Sequence, residues 1–518
     1  YNINYKMFNT FRHLQRKIKF KSYVSRCFTL ETQNVAKTEV KLNANLSNDK
    51  IQGPFGQPTA QTHPHLLKDG ELIPGIPYGE FVERRQRLAE LIKAYSNKLD
   101  TRLQNHLIVI PSSTKKYMSD KIPYTFRQNT EFLYLTGCLE PDCCLVISLI
   151  YGAPDRVLLF LRPNDESAEL WEGPRTGPKR APLFFNVDMS QSIDDLSDFL
   201  TKFKTITKSY SLWFDSENCD YPTITNIMKD YISANNFQKV DSPTVFIQKL
   251  RLIKSSYEVN LMQKSCAIAS IAINDTITSS VPGVSEQTLY AKVDSRCREL
   301  GAQRLAYPPV VAGGPRANTI HYINNNQVVK DGEMVLMDAG CEFHAFSSDI
   351  TRTWPVNGKF TDAQKVLYEI VLDTQKDIIY NMMLNGYPSL DSLFTKMCAL
   401  LGKALQEAGI IKKCVSEKEL PKLAYTFCPH HVSHYLGMDV HDTPLIPRSI
   451  PMHPGMVITI EPGIYIPETR QDVPEEFQGL AVRIEDDILV TNQGPMILTH
   501  YCAKEIVDVE KLFQPKTK

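Results

Sequence analysis

Five side chains in the last third of the chain are of types that bind metal ions. They are Asp338, Asp349, His434, Glu461 and Glu485. Four carboxylates and one imidazole form an oxygen-rich donor set, which suits two divalent cations sharing carboxylates better than one tetrahedral zinc ion. If the fold brings these side chains together, the sequence predicts a hydrolase that activates water between two cations.

The two aspartates lie on either side of an expected turn. The run Val335–Gly340 (VLMDAG) predicts a strand in which Asp338 interrupts apolar residues, and Asp349 follows eleven residues later. An odd separation cannot place both on one face of a flat strand, so we expect a hairpin or bulge through Gly340–His344 to turn both inward. Taken alone, such aspartates are more often turn or ion-pair residues, and the metal hypothesis depends on the other motifs.

The two glutamates lie in two further strand-like runs. Glu461 ends the apolar run in VITIEPGIY, where Pro462 and Gly463 turn the chain, and Glu485 lies within AVRIEDDILV. Arg483 is two residues before Glu485, so these two side chains share a strand face. An Arg–Glu pair on a solvated edge strand explains the second motif equally well in isolation.

Histidines are concentrated in one segment, HHVSHYLGMDVHD. It contains His430, His431, His434 and His441, four of the twelve histidines in the chain. Neutral imidazole can bind a metal or hydrogen-bond a substrate, so this concentration indicates a site. His321, in NTIHYI, is expected in a strand-like run after a glycine-rich turn.

Length and composition indicate an ordinary globular protein of two domains with extensions. The chain has 518 residues, of which 42% are hydrophobic and 22% charged. Basic and acidic residues number 58 each, which argues against nucleic-acid binding by bulk positive charge. The longest strongly apolar run, 143–150, is too short to cross a bilayer, so membrane insertion is not expected. The cysteines include no CxxC pair, which argues against a disulfide framework or a thiolate zinc site.

The N-terminal region differs from the rest of the chain. Its first thirty residues are basic and free of acidic residues, and Phe11, Leu14 and Ile18 recur at helical spacing. Such a segment predicts a mitochondrial presequence over 1–30, with a disordered basic tail as the alternative. The protein is therefore expected in mitochondria, with a cytosolic form starting after the presequence as a second outcome. Residues 31–69 are polar and predict a linker or extended arm.

Two domains follow the arm. Alternating strands and helices over 70–245 predict an α/β N-terminal domain, with a helix beginning at Tyr78. Its further expected elements are strands at His106–Pro111, Cys143–Ile150 and Arg156–Leu161, and helices near Ser192–Lys202 and Tyr221–Ala234. Residues 246–510 predict an α+β domain, with an early helix capped by Ser255 or Ser256 and one further helical stretch at Ala363–Leu384. Residues 511–518 are expected to form a C-terminal tail.

The second domain resembles the pita-bread metallopeptidases, which include methionine aminopeptidase, prolidase and aminopeptidase P. The motifs that carry this resemblance are HY at His321, MDAG at Asp338, SSDITRTW at Asp349, HHVSHYLGMDVHD, TIEPG at Glu461 and VRIED at Glu485. The first domain adds GQPTAQTHPHLLKDGELIPGI, YTFRQNTEFLYLTG and LWEGPRTGP, which resemble the mitochondrial branch of aminopeptidase P. The resemblance covers about residues 55–510 and implies an N-terminal domain of the aminopeptidase P type before a pita-bread catalytic domain.

The resemblance also implies a role for each candidate residue. Asp338 would bind one metal, His434 and Glu461 would complete the sites around it, and Asp349 and Glu485 would bridge two ions. The substrate would be faced by His321, His430 and His441, with Arg483 beside the pocket for the residue after the scissile bond. His431 stands where many relatives have a small residue, but the HxxxH spacing favours His434 as the metal ligand.

The implied activity is hydrolysis of the first peptide bond of peptide or protein N-termini, preferably Xaa-Pro, with trimming of imported mitochondrial proteins as a second task. Glu461 would transfer the proton of the attacking water, and His321 or His441 would stabilise the oxyanion. The metal would be manganese first, with cobalt or zinc as alternatives, and the protein a homodimer or higher oligomer. The competing hypotheses are a prolidase acting on Xaa-Pro dipeptides and an inactive binding protein on the same fold.

Overall fold

The computed structural model describes residues 55–514, apart from 100–103, 238–239, 383–385 and 413. The expected presequence and most of the arm lie outside these residues. The described end of the arm, 55–69, contacts the first domain: the Gln57 side chain donates to Gly137 O (3.0 Å) and accepts from Leu139 N (2.8 Å). Across the described residues, no helix combines the length and the apolar character needed to cross a bilayer.

The first domain is built around a mixed sheet covered by helices. Its strands are β1 (Glu71–Ile73), β2 (Ile76–Pro77), β3 (His106–Pro111), β4 (Tyr117–Ser119), β5 (Ile122–Pro123), β6 (Cys144–Leu149), β7 (Arg156–Leu161), β8 (Met189–Ser192), β9 (Ser211–Trp213) and β10 (Val240–Asp241). Its helices are α1 (Tyr78–Leu99), α2 (Thr130–Thr136), α3 (Glu166–Glu172), α4 (Gly177–Phe185), α5 (Leu196–Ile206), α6 (Pro222–Ala234) and α7 (Thr244–Leu252). The sheet order is β10-β9-β3-β6-β7-β8, with parallel pairs at both edges and antiparallel pairs at the centre.

The second domain combines short antiparallel sheets with long helices. Its strands are β11 (Arg304–Leu305), β12 (Val310–Gly313), β13 (Met334–Ala339), β14 (Cys341–Phe343), β15 (Phe346–Ser347), β16 (Ile350–Pro355), β17 (Val457–Ile460), β18 (Gly463–Tyr465), β19 (Ala481–Arg483), β20 (Asp486–Thr491) and β21 (Gly494–Ile497). Its α-helices are α8 (Ser256–Thr278), α9 (Glu286–Glu299), α10 (Asp362–Lys376), α11 (Leu390–Glu407), α12 (Leu420–Ala424) and α13 (Ile506–Lys511). The long helix α8 begins with a capping box in which Ser255 and Glu258 satisfy each other's backbone N–H groups, and Ser255 is one of the two caps that the sequence predicts.

The turn between the two aspartates is longer than a simple hairpin. Strand β13 pairs antiparallel with β16, and Asp338 lies opposite Thr351. Between them β14 and β15 form a small hairpin whose turn residues, His344 and Ala345, both have positive φ. Gly340 permits the close return of the chain, because a Cβ there would lie 1.8 Å from Ser348 O. Two nested hairpins, β13–β16 and within it β14–β15, therefore bring both aspartates to the same side, as the sequence predicts for a single turn.

Two expectations about the second domain are wrong. The sequence predicts one helical stretch after the first strands, but α10 is followed by a π-helical segment, Asp377–Met382, and then by the separate helix α11. His321 does not lie in a strand, because the chain there forms a turn after the 3-10 helix Gly314–Asn318, and its side chain is exposed.

One hydrophobic core crosses the boundary between the domains. It contains Phe81 and Leu133 of the first domain together with Leu261, Leu436 and Val457 of the second. All five side chains are at least 96% buried. The relative placement of the two domains is therefore fixed by shared apolar packing as well as by polar contacts.

Candidate metal centre

Three of the five predicted ligands converge most tightly. One ligand atom from each of Asp349, His434 and Glu485 lies within 4.8 Å of the other two. His434 Nε2 is 3.3 Å from Asp349 Oδ2 and 3.6 Å from Glu461 Oε1, so the fourth predicted ligand adjoins the group. These four residues come from four separated segments of the chain.

Asp338 joins the cluster through a tyrosine. The Tyr307 hydroxyl lies 2.6 Å from Asp338 Oδ1 and 2.5 Å from Asp349 Oδ1. On its other side Asp338 accepts a hydrogen bond from Arg483 Nη2 at 2.7 Å. Arg483 Nε also donates to Thr351 Oγ1 at 2.9 Å, and the Thr351 hydroxyl donates to Glu485 Oε2 at 2.6 Å. All five predicted ligands therefore lie in one continuous group of contacts.

The backbone around both glutamates is held by one glutamine. Gln375 of α10 is fully buried, and its Nε2 donates to Ile460 O and to Ile484 O, each at 3.1 Å. These carbonyls belong to the residues immediately before Glu461 and Glu485. A single side chain thus fixes the spacing of the two strand ends that carry the glutamates.

The histidine ligand is oriented by its second ring nitrogen. His434 Nδ1 donates to Tyr435 O at 3.1 Å, which directs Nε2 towards the carboxylates. The His434 backbone N–H donates to Thr459 Oγ1 at 3.1 Å, and the Thr459 hydroxyl donates to Glu461 Oε1 at 3.2 Å. This pattern, with the outer nitrogen bound to a carbonyl, is typical of metal-binding histidines.

The cluster contains more buried acid than the nearby cations neutralise. Burial, followed by the charge of Asp349, raises the pKa of Glu485 well above its ordinary value. Burial and the neighbouring aspartates likewise raise the pKa of Glu461 to about 7, although His434 and Arg483 oppose the shift. Burial lowers the pKa of His434, but the neighbouring Asp349 and Glu461 more than compensate and raise it to about 9.

This arrangement fits divalent cations. Buried carboxylates that repel one another require positive charge, and oxygen donors with one imidazole suit hard or borderline divalent ions. The Cys341 side chain, near Asp338 in sequence, instead contacts Ser265 and Ser348 in the core. A thiolate therefore takes no part in the group.

The predicted substrate-facing histidines surround this cluster. His430 Nε2 lies 2.9 Å from the Tyr465 hydroxyl, and His430 Nδ1 lies 3.7 Å from Glu461 Oε2. The ring of His441 packs edge-on against that of His434, with centroids 4.6 Å apart. The charge of His321 contributes to lowering the pKa of both His430 and His441, after the larger effects of burial and of Arg483 or His434, so all three lie near one another.

His431 and Arg483 occupy different positions. His431 turns away from the carboxylates, and its ring stacks on Phe394 at 5.0 Å. Arg483 is 2% exposed, and its remaining nitrogens donate to Thr351 Oγ1 at 2.9 Å and to Tyr465 Oη at 2.7 Å. Its expected place beside a substrate pocket stays a prediction, and its contacts add the role of neutralising Asp338.

Sequence reasoning missed Tyr307, Thr351, Gln375 and Tyr465. Thr351 lies two residues after Asp349 in SSDITRTW, and Tyr465 lies four residues after Glu461 in VITIEPGIY. Their closeness in sequence to predicted ligands could have indicated a place in the site. Tyr307 lies in a proline-rich segment and Gln375 on a helix with no other site residue. No spacing rule connects these two to the strands that they contact.

Comparison with known proteins identifies the family of the chain. The family described as Metallopeptidase family M24 matches residues 260–492, and Aminopeptidase P, N-terminal domain matches 81–213. Xaa-Pro aminopeptidase 3 of Homo sapiens is 46% identical over 467 residues, which are 88% of this chain and 90% of the human protein. Intermediate cleaving peptidase 55, mitochondrial, of Arabidopsis thaliana is 38% identical over 481 residues, which are 93% of this chain and 92% of the plant protein.

A solved structure gives the same result. Zinc-substituted E. coli aminopeptidase P in complex with product has a TM-score of 0.76 and 29% identity, covering 85% of this chain and 98% of that chain. The predicted fold class, an aminopeptidase P-type α/β domain followed by a pita-bread domain, is confirmed. The resemblance inferred from the motifs is confirmed as well: the chain belongs to metallopeptidase family M24, among the proteins related to aminopeptidase P.

Proposed function

We propose that the protein is a dinuclear-metal aminopeptidase that hydrolyses the first peptide bond of its substrates, preferably Xaa-Pro. The observation that carries the proposal is the convergence of Asp349, His434 and Glu485 within 4.8 Å, with Asp338 and Glu461 in contact with the same group. Membership of a metallopeptidase family supports divalent metal ions, and relatives described as Xaa-Pro aminopeptidases support the substrate class.

The five side chains would hold two divalent cations, which supply Lewis acidity and activate water when bound. Oxygen-dominated coordination favours manganese, and cobalt or zinc also suits the donor set. Tyr307 and Arg483 hold the Asp338 carboxylate in place from opposite sides. Gln375 and Thr351 do the same for the backbone and side chain of Glu485.

Glu461 is the proposed proton carrier. A carboxylate within reach of the attacking water can take its proton, and Glu461 is partly exposed with its Oε1 3.6 Å from His434 Nε2. Glu461 accepts the proton of the attacking water and delivers it to the leaving nitrogen. The neighbouring Thr459 hydroxyl donates to Glu461 Oε1 at 3.2 Å and so fixes the orientation of the carboxylate.

His321 and His441 are the proposed oxyanion donors. Both residues are exposed, and the ring of His441 packs against that of the proposed ligand His434, so both are accessible to a substrate. One well-placed donor of this kind contributes about 3 kcal/mol to transition-state stabilisation. His430, half-buried and bound to Tyr465, is proposed to contact the substrate from the inner side.

The proposed location is the mitochondrion, and a proposed physiological task is trimming one residue from imported proteins. Support comes from the basic N-terminal segment and from the mitochondrial peptidase of Arabidopsis thaliana among the relatives. We also propose a homodimer or higher oligomer. Helix α3 has no buried residue, and its Leu170 and Trp171 are 83% and 85% exposed, which gives an apolar surface for such an assembly.

The test is to incubate metal-reconstituted protein with an Xaa-Pro-Xaa tripeptide, an Xaa-Pro dipeptide and peptides headed by Tyr or Leu. Release of a single N-terminal residue from the tripeptide is expected, with Glu461→Gln as the inactive control. Cleavage restricted to the dipeptide would support prolidase. Protein that holds no metal by elemental analysis and cleaves none of the peptides would support the inactive binding protein.

A further inference from the structure

The segment that carries His441 is clamped by charged residues from outside the sheets. We call residues 437–445 the His441 loop. Asp442 in this loop is 3% exposed and accepts hydrogen bonds from Arg251 Nη2 and, at 3.3 Å, from Lys254 Nζ. Arg251 lies in α7 and Lys254 in the connection to α8, so both belong to the junction between the domains.

A second carboxylate of the loop is held in the same way. Asp439 accepts from Arg251 Nη2 at 2.7 Å, from Arg127 Nη2 at 3.0 Å and from Thr130 Oγ1 at 2.7 Å. Arg127 and Thr130 belong to the first domain. The two acidic residues of the loop therefore face three cations, and every one of these partners lies before the pita-bread strands.

The backbone of the loop is strained. Thr443 has φ +49°, a conformation that β-branched residues rarely adopt, and its buried hydroxyl has no hydrogen-bond partner among the described residues. Gly437 allows Asp442 to approach, since a Cβ there would lie 2.4 Å from Asp442 Oδ2. Strained turns persist only where surrounding contacts determine them, and here those contacts include the ion pairs of Asp442.

His441 has little else to fix its ring. Within the described part of the chain the ring makes no hydrogen bond, and it packs edge-on against the ring of His434. Asp442 is the next residue, and its backbone N–H donates to Tyr435 O at 2.9 Å. The position of the imidazole is therefore set by the backbone that Asp442 anchors.

We propose that Asp442, held by Arg251 and Lys254, is a positioning residue for His441, through which the domain junction controls turnover without touching substrate. The proposal rests on the proposed function, in which His441 faces the substrate. Displacing a catalytic donor by about 1 Å can lower the rate about 10²-fold, so a modest shift of this loop has a measurable effect.

The test is a double-mutant cycle between Lys254→Met and His441→Ala on the metal-loaded full chain. Lys254→Met is expected to lower kcat about tenfold or more with KM changed less than about twofold, because an oxyanion donor acts mainly in the transition state. In the His441→Ala background the same substitution is expected to change kcat less than about twofold. The matched control is Arg84→Met, which breaks another buried pair across the junction, Arg84 to Glu258 at 2.9 Å, without contacting the His441 loop.

A second readout is independent of turnover. In zinc-loaded protein with labelled histidines, the His441 imidazole resonance is expected to shift in Lys254→Met and to stay unchanged in Arg84→Met. If Lys254→Met does not fold, Lys254→Gln replaces it, because glutamine keeps an N–H donor but loses the charge that faces Asp442 Oδ2 at 3.3 Å. The same dependence on the His441 background is expected for this variant.

Equal losses of kcat with and without His441, or an unshifted resonance in a folded Lys254→Met, would overturn the positioning role. Failure of the proposed function gives a different result. Full turnover by His441→Ala alone would remove His441 from the reaction, and the resonance comparison would then decide the positioning claim by itself.

Discussion

Replacing Glu485 by glutamine should stabilise the metal-free protein and destabilise the metal-loaded protein, each relative to the original sequence. Ligand oxygens of Asp349 and Glu485 lie within 4.8 Å of each other. Two carboxylate charges at that distance repel by about 3.5 kcal/mol at an effective dielectric constant near 20. His434 and Arg483 offset part of this repulsion. We therefore expect the free energy of unfolding of the metal-free variant to rise by about 1–2 kcal/mol, which is roughly 2–8 °C in melting temperature for a domain of this size.

Glutamine keeps the contact that Glu485 makes. Its amide oxygen can still accept from the Thr351 hydroxyl, which lies 2.6 Å from Glu485 Oε2, so the substitution removes charge and little else. In the presence of metal the original protein gains about 2.7 kcal/mol when free metal is 100-fold above the dissociation constant. The variant loses a bridging carboxylate, so its gain from metal is expected to be much smaller and the order of stability reverses.

The stabilisation should depend on pH in a defined direction. The folded-state pKa of Glu485 is raised above its unfolded value of about 4.3, so its contribution to the stability of the metal-free protein is fully present below that pH. It is lost as the pH rises through the folded-state pKa. The advantage of glutamine is therefore expected to be small near pH 4 and larger at neutral pH, as measured by thermal unfolding with a chelator present.

The matched control is Glu286→Gln, another fully buried glutamate outside the cluster. Glu286 accepts from Gly313 N at 3.0 Å and from Arg316 Nε at 2.7 Å, so losing its charge should lower stability equally with and without metal. The reasoning is refuted if Glu485→Gln lowers the melting temperature in chelator, or if its stability still rises with metal as much as that of the original protein.

Three further outcomes are expected. Asp338→Asn should lower turnover at least about 10²-fold with an unchanged circular dichroism spectrum, and near-normal turnover would contradict the metal assignment. Gln375→Met should weaken metal binding about 10–100-fold by calorimetry, because the two strand ends before the glutamates lose their common donor, and an unchanged dissociation constant would contradict that role. Trp171→Ala should weaken self-association about 30-fold in sedimentation experiments if this exposed ring is an interface anchor, whereas equal dissociation constants would place the interface elsewhere.

Local pattern was sufficient for much of the fold. Strands β3 and β7 have the predicted bounds, and the Ser255 cap is confirmed because a cap needs only residues close in sequence. The helix α11 was missed, although Ser389 caps it and Leu393, Met397 and Leu401 recur on one face. A serine cap followed by apolar residues at helical spacing is a local signal, so this helix lies within reach of sequence reasoning.

The residues of the site likewise divide into those that local sequence indicates and those that only contacts in space reveal. Asp338, Glu461 and Glu485 could be named because an acidic residue inside or at the end of an apolar run is costly and therefore informative. The concentration of histidines pointed to the segment of His434, and the family resemblance pointed to Asp349. Tyr307, Gln375 and the partners of Asp442 could not be named, since hydroxyls, amides and ion pairs are chemically common and acquire a role only from distances in space. Local composition predicts a strand at His321, but the residue lies in a turn after a 3-10 helix, where its side chain is exposed.

The core that crosses the domain boundary bears on how this protein can be shortened. Removing the first domain by proteolysis or by a later translation start would leave Leu261, Leu436 and Val457 facing water. The remaining polypeptide would be an aggregation-prone fragment with an exposed apolar surface and not a smaller enzyme. Chaperones and proteases would recognise it before it bound metal ions. In this chain the unit that survives or disappears as a whole is the pair of domains, and quality control would act on both together.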